Sequence, residues 1–143
     1  MSKLRPEINI EVLNQRGSEY LPGYLGIRVT AVGDKRLEAE LDIQPHHLAP
    51  NGYLHAGTVI TLADSAAGYG CMANLPAGAV SFTTIELKSN FLGTAREGTL
   101  RCVATAVHAG RTTQVWDSVV TDAASGKTLA LFRCTQMILF PKA

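Results

Sequence analysis

Asp64 stands nine residues after His55 in "NGYLHAGTVITLADSAAGYG" (residues 51–70), where most neighbouring side chains are small or apolar. A carboxylate can attack an activated carbonyl carbon or act as a general base on water. On an apolar helix its charge is costly unless it is paired or used. His55, Ala56 and Gly57 fall where the chain enters that helix. The first N–H groups of a helix lack internal partners and carry the positive end of its dipole. Small residues at 56 and 57 let a ligand approach those groups closely. An oxyanion forming there would gain ~3 kcal/mol per donor.

Each feature has a plainer reading. A buried Asp can bond a backbone group or a hydroxyl, a His can cap or pack, and a Gly can mark a crowded backbone. "H-A-G" followed by Asp seven residues after the Gly, opening an otherwise apolar helix, is more specific than its parts. The spacing adds a constraint. Asp64 lies eight residues beyond Ala56, so the two are ~12 Å apart along one helix and more than two turns on. One carbonyl group cannot reach both on a single chain. Two antiparallel copies of the helix would bring the start of one to the middle of the other, at a symmetric dimer interface.

The elements that must hold these residues follow from the rest of the chain. Its 143 residues suit one domain spanning 1–143. With 46% hydrophobic and 17% charged residues and a net charge of +1, the composition is globular. It points away from nucleic acid and anionic membrane as partners. The N-terminal "MSKLRPEINIEVLNQRG" lacks the apolar core of a leader peptide. Cys71, Cys102 and Cys134 are odd in number and widely spaced, which suits reduced thiols in a cytoplasmic protein better than disulfides or a metal site.

Pro6 could start a helix over Glu7 to Asn14, and "GYLGIRVTAVG" reads as a strand. In "RLEAELDI", Leu37, Ala39, Leu41 and Ile43 alternate with charged residues, so this strand has one wet face. "QPHHLAPNGY" is a loop, and the apolar helix runs to about Ala73. Strand-like runs follow over Val80–Phe91, Thr99–Val107, Thr112–Thr121 and Thr128–Leu139, broken by "GTAREG", "HAGR" and "ASGK". An antiparallel meander is the simplest way to join them. Alternation would place Thr84 with Glu86, Lys88 and Asn90, opposite Ile85, Leu87 and Phe91. A helix that is apolar all round needs cover on nearly every side. The expectation is an α+β hotdog architecture: a curved six-stranded antiparallel sheet wrapped around one long apolar helix, with a short N-terminal helix.

The stretch at 51–70 resembles the signature of the hotdog acyl-CoA thioesterases of the PaaI-like (phenylacetyl-CoA and 4-hydroxybenzoyl-CoA thioesterase) branch. That signature is a loop Asn or Gln, then His-Gly-Gly, then Asp or Glu nine residues after the His. The run from Thr83 to Gln136, with its "G-R-T" and "G-K" turns, is similar to the remaining strands of that family. The resemblance implies hydrolysis of an acyl-CoA at each dimer interface of a homodimer or homotetramer, with no cofactor and no metal. It implies that Asp64 is the catalytic carboxylate, that the Ala56 N–H polarises the carbonyl, and that His55 shapes the turn. Thr84 falls where a Ser or Thr of some relatives helps place water. Two positions depart from the pattern. Ala56 replaces the first Gly, and the usual loop amide position holds Ala49, so Asn51, His46 or His47 would have to serve.

Gly57 would admit the substrate closely, and Arg111 and Lys88 are candidate contacts for the CoA phosphates, each equally readable as a solvated surface charge. Tyr53, Tyr69, Phe82 and Trp116 could line an aryl pocket or belong to the core. The acyl group is read as small aryl or short-to-medium chain. A hotdog hydratase or dehydratase, or a non-catalytic acyl-CoA-binding protein, are the alternatives; the "H-F-P-G-x-P" loop of the former is absent.

The two-chain geometry is testable by complementation. Asp64→Asn and Ala56→Leu, each inactive alone, are mixed and reassembled. About a quarter of all sites should then be wild type, so roughly 25% of activity returns. No recovery despite verified subunit exchange would contradict a shared site.

Overall fold

The computed structural model describes residues 4–143, so the first three residues of the stretch examined for a leader lie outside it. Helix α1 spans Ile10–Gly17 and starts where Asn9 Oδ1 accepts the Val12 N–H at 2.9 Å. This cap sets the start three residues later than Pro6 suggests, because a side-chain acceptor satisfies an orphan N–H and Pro does not. A helical turn, α2 (Leu21–Tyr24), opens on Pro22 and occupies the beginning of what the sequence reads as strand. Strand β1 is therefore only Arg28–Gly33, followed by β2 (Arg36–Asp42) and a 3-10 turn at Pro45–His47. Helix α3 runs Ala56–Ala73, and then come β3 (Ser81–Phe91), β4 (Thr99–Ala109), β5 (Thr113–Asp122) and β6 (Thr128–Leu139).

The six strands form one antiparallel sheet in the order β1-β2-β4-β5-β6-β3. Strands β4, β5 and β6 are the expected meander, but β3 pairs with β6 at the edge and not with β4. The "GTAREG" segment is thus a crossover, not a hairpin. Its Gly residues signal a break in the strand without specifying which strand comes next. The hotdog architecture otherwise stands as expected: the sheet curls around α3, which touches all six strands. No helix among the described residues is long and apolar enough to cross a membrane.

Helix α3 packs closely because its inner stripe is small. Leu62, Ala63, Ala66, Ala67, Gly70 and Cys71 are fully buried or nearly so. Its other stripe, Thr61, Asp64, Ser65, Tyr69 and Met72, is only half-covered. The sheet therefore covers one side of the helix and leaves a strip beside the β3 edge open. All three cysteines are free and buried, and burial pushes each thiol up to about 12, so they are inert at neutral pH.

Strand β3 contains a bulge that the alternation reading misses. Thr84 lies opposite Gln136 and Glu86 opposite Thr135, so Ile85 is an extra residue. The parity inverts there. Phe82 and Thr84 face the helix side, and after the bulge so do Leu87, Ser89 and Phe91, which lie opposite the buried Cys134, Phe132 and Ala130. Glu86, Lys88 and Asn90 are on the outer face, opposite Thr84's side of the sheet. The expected grouping of Thr84 with those three is corrected accordingly.

The α3–sheet contact tolerates no added bulk at Gly70. A Cβ there would come within 2.5 Å of Trp116 Cζ3. That ring is fully buried and held by its Nε1–H donating to Gln114 Oε1 at 2.7 Å. Alanine should gain ~1 kcal/mol of helix propensity but lose ~1–3 kcal/mol to overpacking. Gly70→Ala should therefore lower the urea midpoint; a higher midpoint would show that the ring can move.

Candidate active site

The entry to α3 is built by two histidines. His47 is fully buried; its Nδ1 accepts the Gln44 N–H at 2.9 Å and its Nε2–H donates to the Leu25 carbonyl at 2.8 Å. Burial holds its pKa below the usual histidine value. Its own carbonyl accepts from the His55 N–H at 3.0 Å and the Thr58 hydroxyl at 2.9 Å. His47 thus pins the loop to the first turn of the helix, and it serves the fold rather than a ligand. His46 stays exposed.

His55 is the N-cap of α3, and its Nδ1 accepts the Gly57 N–H at 2.7 Å. Nδ1 is therefore unprotonated, and the ring proton of the neutral side chain sits on Nε2. The bond explains why residue 57 is glycine: a Cβ would lie 2.9 Å from that Nδ1. It also means that the Gly57 N–H is already spent. The Ala56 N–H, first in the helix and exposed, has no intrahelical partner and points its dipole outward. Asn51 is used locally, its Oδ1 accepting the Tyr53 N–H at 3.1 Å in a turn where Gly52 has φ +85°.

Asp64 lies on the half-covered stripe of α3. Its Oδ1 is buried, and no donor among the described residues reaches it. Desolvation pushes its pKa above the usual carboxylate range. It opens onto a cavity of about 160 Å³ lined by Pro22, Ser65, Gly68, Tyr69, Phe82 and Thr84. A second, more apolar cavity of about 270 Å³ shares Pro22, Gly68, Tyr69 and Phe82 with the first. It continues along α3 past Met72 to Arg16 and Tyr20. The two together form a groove with a carboxylate and a hydroxyl at one end and apolar walls beyond.

The structure brings together Asp64 and Thr84, with Tyr69 and Phe82 of the four aromatics named above. Within one chain it does not bring His55, Ala56 or Gly57 to that cavity, in keeping with their spacing on the helix. Trp116 belongs to the core, and Tyr53 is exposed beneath the Arg96 guanidinium at 4.3 Å. Lys88 is on the outer sheet face, and Arg111 lies 4.6 Å over the Phe140 ring. Neither lines the Asp64 cavity. Sequence reasoning missed Pro22, Ser65 and Gly68. Pro22 came into view only with α2, and Gly68, four residues after Asp64, could have been found from helical spacing alone.

A model of the thioesterase superfamily matches residues 51–128. The chain is 34% identical over 136 residues to a 1,4-dihydroxy-2-naphthoyl-CoA hydrolase of Escherichia coli, covering 93% of this chain and 96% of that one. A mutant thioesterase from Pseudomonas aeruginosa superposes with a TM-score of 0.88 at 30% identity, covering 95% and 97% of the two chains. The E. coli PaaI protein from the phenylacetic acid degradation operon shares the fold, with a TM-score of 0.75 at 24% identity.

The burial of Asp64 has a thermodynamic consequence. Its pKa is raised on folding, so its favourable contribution is present at low pH and lost as pH rises through the folded-state value. Above that value the ionised group costs stability. Asp64→Asn should therefore be more stable than wild type to urea at pH 7.5, and the gain should shrink near pH 4. His47 contributes in the opposite sense, weakening the fold as pH falls, but it is common to both proteins and cancels. A gain that stays constant with pH would contradict a desolvated carboxylate.

Proposed function

The chain belongs to the thioesterase superfamily and is a thioester hydrolase, and from that premise we propose that it cleaves an acyl-CoA with Asp64 as the catalytic carboxylate. The observation that carries this reading is the buried, unpaired Asp64 oxygen facing a cavity shared with Thr84. Thiolate is a good leaving group, so a carboxylate suffices where an ester or amide would call for a stronger nucleophile. A raised pKa makes Asp64 a better base at neutral pH.

The carbonyl oxygen is polarised by the Ala56 N–H of a second subunit, whose His55 holds that turn by taking the Gly57 N–H. The β3 edge supports such pairing. It is unpaired within the chain and exposes Ile85, Leu87 and Phe91. A second copy joined along this edge would cover the open strip of α3 and set two helices side by side. The assembly is a dimer or a dimer of dimers in the PaaI-like manner.

The acyl group occupies the groove beyond Asp64. Pro22, Tyr69 and Phe82 offer flat apolar surfaces that suit a planar aryl group better than a flexible chain. The relatives from E. coli and Listeria monocytogenes named as 1,4-dihydroxy-2-naphthoyl-CoA hydrolases, 34% and 32% identical, point the same way.

Free-thiol release from a panel of aryl- and alkyl-CoA thioesters tests the reading. Wild type should turn over aryl-CoA best, and Asp64→Asn should lose at least ~10²-fold in kcat while remaining folded. A variant retaining more than about a tenth of wild-type kcat would return Asp64 to a structural role. Conversion of an enoyl-CoA to its hydrate without thiol release would instead identify a hydratase.

A further inference from the structure

Behind Thr84 lies a buried polar side chain that nothing above uses. The Thr84 hydroxyl donates to Gln136 Oε1 at 2.7 Å, and Gln136 Nε2 donates to Cys134 Sγ at 3.4 Å. Gln136 has no exposed surface and sits in register between Thr84 on β3 and Gln114 on β5. Gln114 is held in turn, accepting from Trp116 Nε1–H at 2.7 Å and donating to the Asn74 carbonyl at 2.9 Å. A glutamine inside an apolar sheet needs a reason. The one hydrogen bond its oxygen accepts comes from the hydroxyl that shares a cavity with Asp64.

We propose that Gln136 is a positioning residue that fixes the direction of the Thr84 hydroxyl and, through it, the hydrolytic water. The inference rests on the reading of Asp64 as the catalytic carboxylate and assigns it the role of general base on water, not of nucleophile. A hydroxyl has one proton and two lone pairs, and an ionised carboxylate has only acceptors. With its proton committed to Gln136, Thr84 can only accept from the cavity, as Asp64 does. A water between them gives one proton to each, and both of its lone pairs stay free, one of them to face the acyl carbon. A freely rotating Thr84 could donate to the water instead, which would occupy one lone pair, turn the water and lower its nucleophilicity.

In the step itself the water oxygen bonds to the acyl carbon as Asp64 takes its proton. The carbonyl electron pair moves onto oxygen, facing the Ala56 N–H of the second subunit. Collapse re-forms the carbonyl and breaks the C–S bond. The thiolate leaves and takes the proton from Asp64. Free acid and thiol result, and Asp64 is ionised again.

Kinetics of three variants on one aryl-CoA test the coupling. Gln136→Met keeps the length of the side chain and removes the acceptor. It should lower kcat about tenfold with KM within about twofold, the loss expected for one aligned hydrogen bond. Thr84→Ala should lose a similar factor, and the double variant should be no slower than Thr84→Ala alone. Losses that multiply to about a hundredfold would overturn the proposal, since they would mean independent effects. If Gln136→Met does not fold, Gln136→Glu replaces it, keeping an oxygen to accept from Thr84. A kcat within about threefold of wild type then supports the role, and a loss equal to that of Thr84→Ala overturns it. Wild-type protein that releases no thiol from any acyl-CoA would remove the proposed function and this inference with it. Turnover with multiplicative losses removes this inference alone.

Discussion

A charged group can be made reactive by withholding water, but only if the surrounding atoms pack tightly enough to keep water out. Asp64 depends on that condition. Ala63, Ala66, Ala67 and Gly70 let the sheet approach α3 closely, and Trp116 fills the space that Gly70 leaves bare. The result is a carboxylate at the boundary between a dry core and an open strip. A deeper position would neutralise it, and a more exposed one would leave it an ordinary acid. The small residues of α3 therefore set the environment of the carboxylate that we propose as catalytic, although none of them would react.

The other end of the helix is organised by hydrogen bonds instead of packing. His47 ties the preceding loop to Leu25, Gln44, His55 and Thr58. His55 then satisfies Gly57 and leaves the Ala56 N–H without an intrahelical partner. Capping here is selective: one donor is removed from competition so that its neighbour is presented alone. The substitution of Ala for the first Gly of the family pattern costs little in this geometry. Ala56 is not among the residues with positive φ, and its methyl group lies at the exposed start of the helix.

Much of this was readable in the chain. The apolar run with Asp64 in its middle and the "HAG" at its start located α3 and its entry, because burial and capping are local demands. The alternation in Arg36–Asp42 was equally plain. What escaped was of two kinds: local signals that compete with one another, and pairings between residues distant in sequence. Asn9, not Pro6, starts α1. Pro22 opens α2 where the sequence reads as strand, and it lines the Asp64 cavity from forty-two residues away. The edge position of β3 is a choice among pairings that no hydrophobic period records. Gln136 reads as an ordinary polar residue in a strand until its register against Thr84 is known.

The bulge at Ile85 divides β3 into two reading frames. Upstream, even-numbered residues belong to the cavity; downstream, odd-numbered ones turn to the same side. The frame is set by one backbone insertion and not by the side chains it sorts. Loss or gain of a single residue there would leave the strand's composition almost unchanged while exchanging which residues meet α3 and which meet solvent. Substitution at fixed positions would alter single walls of this groove, whereas a length change near residue 85 would exchange them together. The register of the strand that borders the Asp64 cavity is thus tied to one inserted residue.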